Sequence, residues 1–250
     1  MIITIDGPSG AGKGTLALRL AEHFNFTLLD SGALYRIVAL DSLDSLNKDL
    51  HSEEFANSKS DLSRPAWQVF SEREIECLVE RIPHLEIVFK ANEQVQGNGF
   101  AQQIILNGRD VTEAIRQEVV GMRASQVAAL SPIRDALLGK QRQFAAIDGA
   151  KGLVADGRDM GTVVFPDAKL KIFLDARAEV RASRRLKQLG QDQSYYQAVL
   201  EAIEKRDRQD RQRKDAPLRP ADDAHIIDAS EISADQVFGK VVRLAESFVN

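Results

Sequence analysis

The chain begins with a run of β-forming residues, Ile2-Ile3-Thr4-Ile5, closed by Asp6, after which the apolar period changes. Leu16, Leu20 and Phe24 recur every fourth position with Ala17 and Ala21 beside them, which predicts an amphipathic helix behind a buried strand. Thr27-Leu28-Leu29-Asp30 reads as a second short strand, and Ser31-Gly32 caps a helix through Leu34, Val38 and Leu43. Further parallel-type strands are expected at Gly152–Asp156, Leu170–Asp175 and His225–Asp228. Ser233 and Gln236 form a capping box for a last helix, whose stripe is Val237, Val241, Leu244 and Phe248. Strands alternating with helices specify an α/β fold, a doubly wound five-stranded parallel sheet. The five strands end in Asp6, Asp30, Asp156, Asp175 and Asp228, at the edge where such a sheet places its ligand crevice.

The middle of the chain breaks this rhythm. Residues 47–66 are polar and irregular and read as a loop or loosely packed excursion. From Ile75 the pattern turns to alternation, with His84–Phe89 and Gln103–Leu106 flanking a turn that contains Gly97-Asn98-Gly99. This predicts a small antiparallel β insertion over residues 72–111 in a single domain spanning 1–250. Helical patterns return at Thr112–Leu130, and Ser131-Pro132 opens a helix to about Phe144.

With 250 residues and 44% hydrophobic content, the chain has enough apolar surface for a core without staples. Cys77 is the single cysteine, and His23, His51, His84 and His225 lie far apart, so neither a disulfide framework nor a sequence-local zinc site is indicated. There is no basic leader and no apolar run near the roughly 18 residues a membrane span needs. A net charge of −4 argues against bulk affinity for nucleic acid. A cytoplasmic protein with neither a membrane nor a nucleic-acid partner is expected, with a monomer as its working state.

Chemistry concentrates first in Gly7-Pro8-Ser9-Gly10-Ala11-Gly12-Lys13-Gly14-Thr15. Short side chains let backbone N–H groups curl around an anion, the following helix points its positive end there, and Lys13 adds a full charge. The guest this cradle suits is a nucleoside triphosphate. Gly14 intervenes between the Lys and Thr15, and the Lys-Gly-Thr ending resembles nucleoside monophosphate kinases rather than GTPases. At the end of the second strand, Tyr35 and Arg36 suit a second anion. Asp156-Gly157-Arg158-Asp159-Met160-Gly161 packs carboxylates and a guanidinium at a strand end, a concentration of charge that a hard cation such as Mg²⁺ and a phosphate would answer.

Arg177, Arg181, Arg184 and Arg185 share one helical face, and like charges at that spacing repel. Such a stripe reads either as a solvated basic face or as a lid over residues 178–200 that closes on triphosphate. Glu201–Asp215 carries four stabilising pairs at four-residue spacing, including Asp207 with Arg211 and Asp210 with Lys214. Arg206, Asp210 and Arg213 form a second stripe there, suited to a ribose and a phosphate, and both readings of this helix stay open.

Ile5–Thr15, Leu29–Arg36 and Ala155–Pro166 together closely resemble bacterial cytidylate kinase, over most of the chain. The resemblance implies transfer of a phosphoryl group from ATP, with Mg²⁺, to CMP or dCMP. It implies that Gly7 to Thr15 and Arg184 hold ATP, and that Lys13, Arg158, Arg181 and Arg185 are catalytic. It further implies that Ser31, Arg116 and Asp159 read cytosine, Arg206 and Asp210 the ribose, and Tyr35, Arg36, Arg158 and Arg213 the CMP phosphate. Thr15 and Asp156 would serve the metal, directly or through water. Residues 47–75 look longer than is usual in that family and receive no role. A P-loop kinase for UMP or a hydroxylated metabolite would share the cradle but need another acceptor pocket. A nucleotide-controlled RNA-binding protein would instead use the basic helices.

Overall fold

The computed structural model describes residues 1–50, 70–91, 102–147 and 149–249. Most of the expected loop at 47–66, and the Gly97-Asn98-Gly99 turn, lie outside them. In chain order the elements are β1 (Ile2–Asp6), α1 (Lys13–Phe24), β2 (Thr27–Asp30), α2 (Ser31–Leu50) and α3 (Glu72–Arg81). There follow β3 (Ile87–Ala91), β4 (Gln102–Leu106), β5 (Arg109–Asp110), α4 (Glu118–Val127) and α5 (Ser131–Gln143). The chain continues with β6 (Leu153–Gly157), β7 (Leu170–Asp175), α6 (Ala178–Leu189), α7 (Tyr196–Gln212), β8 (His225–Asp228) and α8 (Ala234–Val249).

Two compact units result. The first comprises Met1–Asp30 and the chain from Arg142 onward. Its sheet is wholly parallel, in the order β2-β6-β1-β7-β8, so the first strand of the sequence is the central one. Ile3 and Ile5 are fully buried, each contributing about 1.5–3 kcal/mol. Register pairs Asp30 with Asp156 and Asp175 with Asp228, which lines up the expected carboxylates at one edge of the sheet. Leu16 and Leu20 of α1 are buried as their spacing predicts, and the box at α8 is formed, with Gln236 N–H donating to Ser233 Oγ at 3.2 Å and Ser233 N–H to Gln236 Oε1 at 2.8 Å. Phe248 departs from the predicted stripe: it is exposed, and Ala245 is buried instead.

The second unit is drawn from Ser31–Lys90 and Gln102–Gln141. Here α2 packs on α3 and α4, while β3, β4 and β5 make a small sheet in which β4 and β5 are antiparallel. Two sequence expectations need correction. The helix α2 continues to Leu50, so residues 47–50 are not loop. Residues 75–81, read as the start of β alternation, are helical: Ser71 caps α3 by accepting from Glu74 N–H at 3.1 Å, and Leu78 and Ile82 are buried. Alternation begins only at β3, after a 3-10 turn at Ile82–His84.

Candidate functional site

The buried strand β1 delivers the chain to Gly7, whose φ of +148° lies in the region that favours glycine. A Cβ there would stand 2.0 Å from the carbonyl oxygen of Leu174. The glycine loop is therefore pressed directly onto β7. Lys13, first residue of α1, is 6% exposed; its Nζ donates to the Pro8 carbonyl at 3.0 Å and stands 3.8 Å from Asp156 Oδ1. Burial pulls the Lys13 ammonium down to about 8, helped by Arg158 and opposed by Asp156, Asp6 and Asp30. Burial likewise pushes Asp156 up to about 6, with Lys13 opposing and Asp30 adding to the rise. A cation inside the loop, 3.8 Å from the strand-end carboxylate of Asp156, is poised to receive an anion.

Asp6, the last residue of β1, is also buried, and its carboxylate accepts Met160 N–H at 2.8 Å and Gly161 N–H at 2.7 Å. Those donors open a π-helical turn over Met160–Val164, in which Val164 N–H reaches the Asp159 carbonyl at 3.1 Å. Desolvation pushes Asp6 up to about 7, against the lowering effect of these two N–H groups.

Arg158 and Asp210 meet through Nε and Oδ2 at 2.8 Å. Asp210 is thus paired with Arg158 rather than serving Lys214 as the sequence spacing suggested. Arg213 reaches forward along the chain, its Nη2 donating to the Ala216 carbonyl at 3.0 Å. The arginine face of α6 is also answered within the protein. Arg177 Nη2 pairs with Glu231 at 3.2 Å, and Arg184 Nη2 donates to the Ala229 carbonyl at 2.6 Å. Arg181 is the most committed: it donates to the Ala176 carbonyl at 2.8 Å and the Ser9 carbonyl at 3.0 Å, and holds Asp207 by both guanidinium nitrogens. Asp207 is accordingly buried and not a surface partner of Arg211. Arg185 remains exposed, donating to Gln188 at 3.1 Å.

Beside the loop lies a cleft of about 220 Å³, lined by Thr15, Leu16, Arg19, Leu174, Arg184 and the Ala229–Val237 stretch. It joins the start of α1 to the loop after β8. In the second unit Ser31 is buried and accepts from Gln141 Nε2 at 3.4 Å. Arg36 Nη1 donates to the Ile115 carbonyl at 2.8 Å, and Arg116 Nη1 to the Thr112 carbonyl at 3.2 Å. Tyr35 and Arg36 stand on the first turns of α2, half-buried.

Among the described residues, no three His, Cys, Asp or Glu side chains cluster as a metal cage. The oxygens present fit a different arrangement. A Cβ on Gly14 would stand 3.4 Å from Asp156 Oδ2, which puts that carboxylate against the first turn of α1 that carries Thr15. A hydroxyl and one or two carboxylates suit Mg²⁺, which takes few protein ligands and completes its shell with phosphate and water.

The family model described as Cytidylate kinase matches residues 3–247. A cytidylate kinase of Vibrio vulnificus is 46% identical over 249 residues, covering 98% of this chain and 96% of its own. Those of Saccharophagus degradans and Pseudomonas aeruginosa are each 47% identical over 250 residues, covering 99% and 98% of this chain and 97% and 95% of theirs. The chain belongs to the cytidylate kinase family.

Membership in the cytidylate kinase family makes the chain a phosphotransferase. No helix among the described residues is long and apolar enough to cross a membrane. Three features of this cytidylate kinase family member carried no motif signal. The Ala229–Val237 wall of the cleft has no charge pattern, and only its place after the last strand's carboxyl end points to it. Asp6 stood in the sequence as one strand-end aspartate among five. Arg123, buried in the second unit, donates to Ser42 Oγ at 2.8 Å, pairs with Glu74 and lies 3.5 Å from the centroid of the Phe70 ring.

Proposed function

We propose that this cytidylate kinase transfers the γ-phosphoryl group of ATP to CMP and dCMP, giving ADP with CDP or dCDP. The observation that carries the reading is Lys13, folded into the glycine loop, desolvated and faced by Asp156. A full positive charge in a water-poor loop stabilises charge developing on transferring phosphate oxygens far better than it would in water. The acceptor phosphate is already an anion near neutral pH, so the in-line transfer needs no strong general base and no covalent enzyme intermediate.

Gly7 to Thr15 supply backbone donors to the triphosphate, and the adjoining cleft with Arg184 takes the rest of ATP. Thr15 and Asp156 would hold Mg²⁺, directly or through water, and the ion would supply neutralisation of the phosphate charge. Arg158 and Arg185 counter charge on the transferring group, while Arg181, anchored to the Ser9 carbonyl, fixes the loop's position. Asp159, Ser31 and Arg116 read the cytosine. Arg206 and Asp210 hold the ribose, and Tyr35, Arg36, Arg158 and Arg213 hold the CMP phosphate. Residues 178–200 act as a lid that excludes water and suppresses hydrolysis of ATP. The enzyme works in the cytoplasm as a monomer.

The test is ATP turnover against CMP, dCMP, UMP and AMP in parallel. CMP and dCMP should give the highest kcat/KM. Faster turnover with UMP or AMP would overturn the assignment.

A further inference from the structure

The turn that carries Arg158 and Asp159 is held from two sides. On one, the side chain of Met160 is fully buried beneath the end of β6, where a Cβ on Gly157 would come within 2.7 Å of Met160 Cε. On the other, the Asp6 carboxylate takes the N–H groups of Met160 and Gly161, one on each oxygen. Gly161 leaves no room for a side chain, since a Cβ there would stand 2.9 Å from Thr4 Oγ1 and 3.3 Å from Asp6 Oδ2. The hydroxyls of Thr4 and Thr162 are buried with no hydrogen-bond partner. Asp6 is thus the side chain that satisfies the first two donors of the π-helical turn.

We propose that Asp6 is a positioning residue of the acceptor site, holding the Arg158–Gly161 turn so that Asp159 meets the nucleobase. Asp159 is the residue immediately before the two N–H groups that Asp6 grips, and its own carbonyl closes the turn by accepting Val163 N–H at 2.9 Å and Val164 N–H at 3.1 Å. Its backbone cannot shift without breaking that set. A carboxylate is the group that accepts both donors at once, whereas an amide offers one acceptor and turns a second donor toward the other N–H. Burial makes the carboxylate costly at neutral pH, and a site selected for stability alone would favour a neutral group there. The inference rests on the reading of Asp159 as the residue that recognises cytosine.

The experiment measures kcat/KM for CMP and UMP, and KM for ATP and CMP, in the parent, Asp6→Asn, Asp159→Ala and the double variant. Asp6→Asn should raise KM for CMP by about tenfold and narrow the CMP-to-UMP ratio, while KM for ATP stays within about twofold. In the Asp159→Ala background Asp6→Asn should narrow the ratio no further. Gly161→Ala, which displaces the same turn with Asp6 intact, should also narrow it, and it answers the question if Asp6→Asn does not fold. A ratio changed by Asp159→Ala but untouched by Asp6→Asn and Gly161→Ala overturns the role of Asp6 alone. Equal losses with both acceptors in Asp6→Asn also overturn it, since they mark a merely structural residue. A ratio unchanged in Asp159→Ala overturns the base reading and the role of Asp6 with it.

Discussion

Arg181 and Asp207 face one another as a two-pronged ion pair with both side chains withdrawn from solvent. Because Arg181 also holds the Ser9 carbonyl, the pair ties α7 to the phosphate loop. Removing the carboxylate leaves a buried guanidinium uncompensated, so Asp207→Ala should cost about 3–5 kcal/mol. Urea unfolding measures it, and a loss below ~1 kcal/mol would show that water replaces the carboxylate readily.

The hydrogen bond of the Lys13 ammonium returns to its own loop, and its link to another element is the looser 3.8 Å approach to Asp156 at the end of β6. Lys13→Ala should therefore lower kcat by about 100-fold or more while the melting temperature moves only a few degrees. Steady-state kinetics alongside thermal unfolding checks both, and activity retained within a few-fold would refute the cradle as the catalytic centre.

Asp6 gives the stability curve a recognisable slope. Its folded value near 7 lies above the ordinary carboxylate value of 3.8, so its contribution is fully present below about pH 4 and is lost as pH rises through 7. An asparagine does not titrate. Relative to the parent, Asp6→Asn should gain on the order of 4 kcal/mol between pH 4 and pH 8, and denaturant midpoints at several pH values report it. A difference independent of pH would place the Asp6 carboxyl in a solvated setting.

In the second unit, the buried Arg123 and Ser42 meet the half-buried Glu74 and Phe70 ring. Glu74→Ala removes the carboxylate that balances the buried guanidinium and should cost about 3 kcal/mol, whereas the paired change Arg123→Met with Glu74→Leu should cost less than either single truncation. Unfolding of the three variants decides the matter, and additive losses would rule out coupling.

Hydrogen exchange bears on closure. With Arg181 anchored, the proposed lid should protect unevenly: an ATP analogue plus CMP should slow exchange most around Lys187–Tyr195, beyond the anchor, and least near Ala178. Identical exchange with and without the two ligands would argue against a lid in residues 178–200.

The parallel sheet was legible because its strands are short continuous apolar runs ending in aspartate, and the cradle because its residues are contiguous. Contacts between distant positions were not. The spacing of Asp207 with Arg211 and of Asp210 with Lys214 satisfies a helix taken alone, yet tertiary partners took both carboxylates, Arg181 from α6 and Arg158 from the end of β6. Residues 75–81 misled for another reason: alternation in the strand that follows masked a three- and four-residue spacing through Ile75, Leu78 and Ile82, and the cap at Ser71 is a single hydroxyl. The cleft wall after β8 was silent because apolar and small residues lining a pocket look like those lining a core.

The central place of β1 has a consequence for the nascent chain. Ile2 pairs with Leu153 and Ile3 with Leu170, so β1 has no sheet neighbour until the chain has been made as far as Leu153. At typical elongation speeds that is a wait on the order of ten seconds, during which a run of isoleucines and the glycine loop stay unsupported. The cleft beside the loop is completed later still, because it also needs Ile232 and Val237. An early-made segment is thus among the last to be completed by the rest of the molecule.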